Sequence, residues 1–382
     1  MIGFLRKKRN LFDDYYILPE NNLAHNFFSH LRERCLDYGF HGYLDQQKNP
    51  VQKVLGSISS NTNFFIISPN YGVEIYGILM DAGISKNRIF FVNEKSFTTT
   101  GSILWYLTIR TARRFFVSLS QPRYHISRIR FWLAVRFGVR YLKNEKRLSL
   151  LKNKHYGQRA FLIGNGPSLQ VSDLSLLEGE VTFASNKIYL AFGSTSWRPT
   201  YYCVEDDQVF LQNYADIHCL ADVVKLVSNS LLQFGLPLND AIYFNHRWNS
   251  FFPDLPDFSV DPFEGVHWGS TITYTMIQLA LYMGIKEIYL LGIDFKFEVP
   301  ESAVHTDQLI LSVGEQNHFH KDYRKKGERW NKPNLHMQRQ SFKKVMQFCE
   351  ANDIKIYNLS RQTELDLIPL QELQKVIAID SE

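Results

Sequence analysis

The residues best suited to chemistry sit where apolar runs stop. Residues 160–169 read AFLIGNGPSL, so Phe161, Leu162 and Ile163 run straight into Gly164, Asn165, Gly166, Pro167 and Ser168. An uninterrupted apolar run of this kind is expected as a buried parallel strand. The two glycines permit close backbone approach and positive φ, and Pro167 sets a turn. With Ser168 or Asp173 capping a following helix, strand, glycine loop and helix start would form an anion site. Its natural guests are the phosphates of a nucleotide. The loop is neither a Walker loop nor GxGxxG, because it lacks the Lys-Ser/Thr pair and the third glycine. An ordinary tight turn is the alternative at this point.

Three further strand ends carry polar chemistry. Val181–Ala184 runs into Ser185 and Asn186, Thr200–Val204 opens onto Glu205, Asp206 and Asp207, and Glu287–Leu291 closes at Gly292, Ile293 and Asp294. Asp206, Asp207 and Asp294 are the types that would hold Mg²⁺ in a phosphoryl transfer. Equally, Asp206 and Asp207 could cap the next helix, or Glu205 or Asp206 could bind ribose hydroxyls. Gly269, Ser270 and Thr271 open a helix over Ile272–Tyr282 that Gly284 stops, and offer N–H and hydroxyl donors at its start. A polar stretch over 299–336 holds NHFHKDYRKKGERWNKPN, with His318, His320, Tyr323 and Trp330. A loop this long in a compact domain is functional or disordered, and its aromatic and basic content argues for function.

These positions need elements to hold them. Strands alternate with helices from 156 onward, adding Val223–Ser228, a helix over 336–349, a last strand at Lys355–Asn358 and a short helix in the tail from Leu365. That alternation implies an α/β fold with a mostly parallel sheet, whose ligands bind at the carboxyl ends of the strands. The four polar strand ends would then share one edge. Residues 1–100 read as a smaller α/β domain, with strands at Asn63–Pro69 and Ile89–Val92 around a helix over Val73–Ala82. Between Arg110 and Arg147 the only acidic residue is Glu145, among many arginines and aromatics. Residues 101–155 are therefore expected as a basic amphipathic helical linker able to lie on an anionic membrane, or to pack one side on a domain. The domains expected are 1–100, 101–155 and 156–382.

Bulk properties narrow the class. With 382 residues, 45% hydrophobic and 21% charged, the chain can bury two ordinary cores and is not of disordered type. A net charge of +5 and no recognised binding motif argue against nucleic acid as partner. Cys35, Cys203, Cys219 and Cys349 show no metal spacing and are expected as reduced thiols of a cytoplasmic chain. Neither a signal peptide nor a membrane-spanning run is expected.

The ordered set IGNGPSL, Asn186, PTYYCVEDD, GSTITYTMIQLALYMGIKEIYLLGIDF, NHFHKDYRKKGERWNKPN and IKIYNLS resembles the 6-hydroxymethylpterin diphosphokinase MptE-like family. It is similar too to the bacterial sialyltransferases of glycosyltransferase family 42, over roughly residues 158–360. The resemblance implies a Rossmann-like sheet with helices on both faces. It also implies a cytoplasmic bacterial glycosyltransferase of surface-glycan synthesis, which the basic segment 110–147 would bring to the inner face of the plasma membrane. Its donor would be a nucleotide sugar, with a CMP-nonulosonate as the leading instance, and its acceptor a glycan or lipid-linked glycan. On this reading Gly164–Ser168 and Asn186 hold the nucleotide, and His318, or secondarily His320, takes the acceptor proton. Tyr323 steadies the leaving phosphate, with Arg324 or Lys325 adding charge, and no metal is expected. His246, Arg247, Trp248, Trp330 and Asn331 would contact the acceptor or simply pack. The alternatives are an ATP- and Mg²⁺-dependent diphosphokinase acting on a pterin-like alcohol, and a non-catalytic nucleotide-binding scaffold. The acidic Glu205–Asp207 cluster departs from the sialyltransferase pattern.

Overall fold

The computed structural model describes residues 14–18, 22–32, 40–44, 58–59, 61–67, 75, 78–80, 82–85, 88–91, 122–248, 254–299, 304–306 and 309–378. They belong to two compact units, 1–117 and 118–382. The first holds four parallel strands, β1 (Tyr15–Leu18), β2 (Phe40–Tyr43), β3 (Asn63–Ile66) and β4 (Ile89–Phe91), in the order β2-β1-β3-β4. The apolar runs at 63 and 89 form neighbouring strands, with Phe64 opposite Ile89. Helix α1 (Asn22–Arg32) buries Ala24 and Leu31 with Tyr15, Ile17 and Phe65. Of the helix expected at Val73–Ala82, helical backbone is described at residues 75 and 78–80, and Gly83 ends it in the left-handed region. The turn at 70–72 and the basic residues 101–121 lie outside the described residues.

The second unit is built on seven parallel strands: β5 (Arg159–Ile163), β6 (Val181–Ser185), β7 (Tyr201–Val204), β8 (Val224–Ser228), β9 (Ile242–Phe244), β12 (Glu287–Leu291) and β16 (Lys355–Asn358). Their order is β16-β12-β5-β6-β7-β8-β9. The alternation of a strand sends neighbouring side chains to opposite faces. Ala160 and Leu162 join one core, and Phe161 and Ile163 the other. Helices cover both faces. The first core takes residues of α2 (Pro122–Phe137), α3 (Lys143–Ser149), α7 (Ile272–Tyr282) and α8 (Leu335–Ala351). The second takes α4 (Val171–Ser175), α5 (Asp207–Gln212), α6 (Tyr214–Cys219) and α9 (Leu373–Ala378). The fold is a Rossmann-like α/β sheet.

Two regions differ from expectation. The stretch read as a linker contributes Phe131, Ala134, Leu148 and Leu151 to the core of the second unit, so from 122 onward it is part of that unit. The polar stretch after 299 is not wholly irregular. It contains an antiparallel sheet of β13 (Val304–Thr306), β14 (Leu309–Leu311) and β15 (Arg329–Asn331). Two further two-residue strands, β10 (His246–Arg247) and β11 (Val266–His267), pair in parallel beyond β9. No helix among the described residues is long and apolar enough to cross a membrane.

Candidate functional site

The chain lays β6, β7, β8 and β9 outward from β5 on one side, then returns to add β12 and β16 on the other. The direction of build-up reverses between β5 and β12, and a crevice opens at the carboxyl ends of such a pair. The Gly164–Ser168 loop leaves β5 at this switch point and packs against Gly292–Asp294 at the end of β12. A Cβ at Gly164 would run into the Gly292 carbonyl oxygen, and one at Gly166 would lie 2.6 Å from Asp294 Oδ2. Close approach is thus what demands these glycines; neither has positive φ.

The approach is to protein rather than to an open anion site. Gly164 N–H donates to Leu291 O (2.8 Å) and Gly166 N–H to Gly292 O (2.9 Å). Ser168 donates its N–H to Asp294 Oδ2 (2.7 Å) and its hydroxyl to Oδ1. The Gly164, Gly166 and Ser168 amides are engaged internally, and the Asp294 carboxylate sits on that of Ser168. Ser168 therefore does not cap the next helix. The N-cap is Gln170, in a reciprocal arrangement with Asp173, and α4 is a single short turn. Arg361 clamps Asp173 from outside. Burial pushes the Asp294 carboxyl up, against the opposing pull of the Ser168 bonds.

What the loop leaves unsatisfied lies one residue along. Asn165 Nδ2 donates to Ser185 O (3.1 Å), but its Oδ1 is buried with no partner. Ser185 Oγ and Asn186 Oδ1, at the end of β6, are likewise buried and unpartnered. Asn186 is in the left-handed region (φ 55°), held there by the Tyr202 hydroxyl on its carbonyl (2.7 Å). Ser270 (φ 62°) and Phe295 (φ 57°) share this uncommon backbone. A buried orphan costs about 1–3 kcal/mol, which makes this row the candidate place for a ligand's polar groups.

The histidine stretch folds over this row. Phe319 N–H donates to Asn165 O (3.0 Å), and Lys187 Nζ pairs with both Glu328 oxygens at 2.9 Å. Asn331 Nδ2 donates to Asp206 Oδ2 (3.0 Å). The buried Tyr323 hydroxyl meets the Asn186 side chain and the Lys187 main chain, and burial pushes it up to about 12. His318 stacks flat on Tyr323, with ring centroids 3.7 Å apart, and its Nδ1 is buried without a partner. Burial, with Arg324 and Lys187 nearby, holds the His318 pKa well below the usual imidazole value, so the ring is neutral at pH 7. His320 Nδ1 instead accepts the Asp322 N–H (3.2 Å), which spends it on its own turn. Arg324 is laid over Trp330 at 4.5 Å.

The acidic cluster is dispersed in role. Asp206 caps α5 through the Val209 N–H (2.9 Å), Asp207 is its first residue, and Asp294 holds Ser168. Among the described residues no group of three metal-type side chains assembles. Glu205 is buried and accepts the Thr275 hydroxyl at 2.5 Å from the first turns of α7. His246 Nε2 lies 3.4 Å from its Oε2, and His246 Nδ1 meets Ser228 Oγ at 3.2 Å. Ser228 contacts Ser230, which accepts from Trp248 Nε1 (3.2 Å). Burial pushes Glu205 up to about 7 and His246 down to about 3. Thr271 caps α7, and the Ser270 carbonyl takes Gln338 Nε2; among the described residues no hydrogen bond joins either to the glycine loop. Lys187 and the Glu205–His246 pairing are not readable from sequence, since each depends on contacts made across strands.

No curated protein sequence matches the chain. Two solved structures resemble it in part. One is the MAf glycosyltransferase from Magnetospirillum magneticum AMB-1, at 14% identity and TM-score 0.38, covering 93% of this chain and 62% of that one. The other is the sialyltransferase CstII from Campylobacter jejuni, solved with CMP-3FNeuAc, at 18% identity and TM-score 0.31, covering 56% of this chain and 86% of that one. The chain thus spans about 62% of the first structure's length, and likeness at this level assigns no activity. Residues 139–299 match the 6-hydroxymethylpterin diphosphokinase MptE-like family model, a segment that carries every strand-end residue described above from Gly164 to Asp294 and stops before the histidine stretch.

Proposed function

We propose that the second unit is a glycosyltransferase that binds a nucleotide-sugar donor at the β5/β12 switch point and transfers the sugar to a glycan hydroxyl. The observation that carries this is the row of buried, unpartnered polar atoms at Asn165, Ser185, Asn186 and His318. Oδ1 of Asn165 and of Asn186 are acceptors. They suit the hydroxyls of a ribose or the amine of a base better than they suit a phosphate. With the loop amides engaged, the glycine loop positions Asn165 and does not wrap an anion. His318 is the general base: it is neutral without prior deprotonation, and Tyr323 holds its plane. Arg324 and Lys187 supply positive charge near the departing phosphate. A CMP-linked nonulosonate is the donor to test first, and a lipid-linked glycan the acceptor.

The dispersal of Asp206, Asp207 and Asp294 into capping and loop-holding roles supports this reading over a diphosphokinase. Calorimetry with CMP, UDP and ATP, each with and without Mg²⁺, decides between them. Metal-independent CMP binding is expected; ATP binding that requires Mg²⁺ would replace this reading with the kinase, and no heat from any nucleotide would leave a scaffold. In the His318→Ala variant, transfer should fall by about 10²-fold or more while donor binding persists.

A further inference from the structure

Helix α2 carries apolar residues on both halves, with arginines set among them. One half is docked. Ser127, Phe131 and Ala134 are buried, Phe131 meets the Phe263 edge at 6.1 Å, and Arg130 pairs with the buried Glu145. The segment is also pinned through α3, where Asn144 exchanges hydrogen bonds with the Tyr243 main chain (2.7 and 2.9 Å) and Arg147 donates to Ala241 O (3.0 Å). The other half is bare. Ile126, Ile129, Trp132 and Val135, spaced by three, are 47–59% exposed. Arg123, Arg128 and Arg136 are exposed with them, and the helix contains no acidic residue. Arg123 stands in the first turn, where the helix dipole disfavours a cation, so its charge does not serve the helix itself.

We propose that this half of α2 seats on an anionic lipid bilayer, with the four apolar side chains entering the interface and the arginines meeting headgroups. The occupant must be apolar and negatively charged at once. A second copy pairing through the same face would set arginine against arginine with no acid to answer. The docked half of α2 rests on the turn Asn229–Phe234, which follows β8 at its carboxyl end. Ser230 of that turn belongs to the chain that links Trp248 to His246 and Glu205. The bilayer would therefore lie beside the edge of the sheet that carries the candidate site. On the glycosyltransferase reading, from which this last step follows, the acceptor arrives on a lipid.

The full chain is sedimented with phosphatidylcholine vesicles and with vesicles containing 30% phosphatidylglycerol. Binding to the anionic vesicles alone is expected, weakening with salt. Ile129→Glu with Trp132→Glu, and separately Arg123→Gln with Arg128→Gln, should each cut it by at least about tenfold. The thermal midpoint and the nucleotide heats should stay unchanged. Equal binding by wild type and both variants overturns the proposal. So does binding to neither vesicle, or a dimer in light scattering that Ile129→Glu dissociates. Vesicle binding without any nucleotide heat would leave the docking face standing while the glycosyltransferase reading fell.

Discussion

Two buried carboxylates end neighbouring regions of the same sheet, and they are treated differently. Asp294, after β12, receives two hydrogen bonds from Ser168 and so locks the crossing between β5 and β12. Glu205, after β7, receives one hydroxyl and faces a histidine whose Nε2 lies 3.4 Å away with no hydrogen bond. The first acid is a clamp that the fold needs. The second is carried by the fold at a cost, and that is how a group kept for chemistry or ligand contact looks.

Removing each acid should therefore move stability in opposite directions. Asp294→Ala loses two bonds to a carboxylate and should destabilise by about 4 kcal/mol in urea unfolding. A loss under about 1 kcal/mol would mean that backbone contacts alone hold the glycine loop. Burial pushes both carboxyls up, but Glu205 has a single hydroxyl to offset it. Its pKa rises from 4.5 to about 7 on burial, so the folded protein holds that proton more tightly than the unfolded chain. Stability then falls as pH rises from about 4.5 through about 7, by up to about 3 kcal/mol. Glu205→Gln should match the wild type near pH 4 and exceed it at pH 8; a variant less stable at both would make Glu205 a second clamp. The smallest effect is expected at Asn165→Ala. It gives up one hydrogen bond and one orphaned acceptor, so stability should change by about 1 kcal/mol or less while nucleotide affinity falls about tenfold. Unchanged affinity would remove Asn165 from the site.

The half of this contrast that rests on local pattern was legible in sequence. Apolar runs ended by glycine marked β5 and β12, runs ended by polar residues marked β6 and β7, and α7 matches the expected Ile272–Tyr282 at both ends because Thr271 and Gly284 bound it. Asp206 as a helix cap was one of the open readings, and it is the one the structure adopts. The strands of three and four residues at 15, 40 and 242 gave too few alternations to register. The bond from Ser168 to Asp294 spans 126 residues, and no periodicity reports it. That contact decides whether the glycine loop is an anion cradle or a packed crossing, which is why the loop's chemistry could not be read from its residues.

The cover over the site is fastened at three strand ends by three kinds of contact: an amide on Asn165 O, an ion pair at Lys187 and a side-chain amide on Asp206. Fasteners in parallel must all part before the cover lifts, so the open fraction is the product of three small probabilities rather than the largest of them. On the proposed nucleotide-binding reading, admission and release would each need all three contacts to part, and would be slower than any one contact would make them. Because the ionic fastener is largely out of reach of solvent, dissolved salt should change the tempo of that gate little.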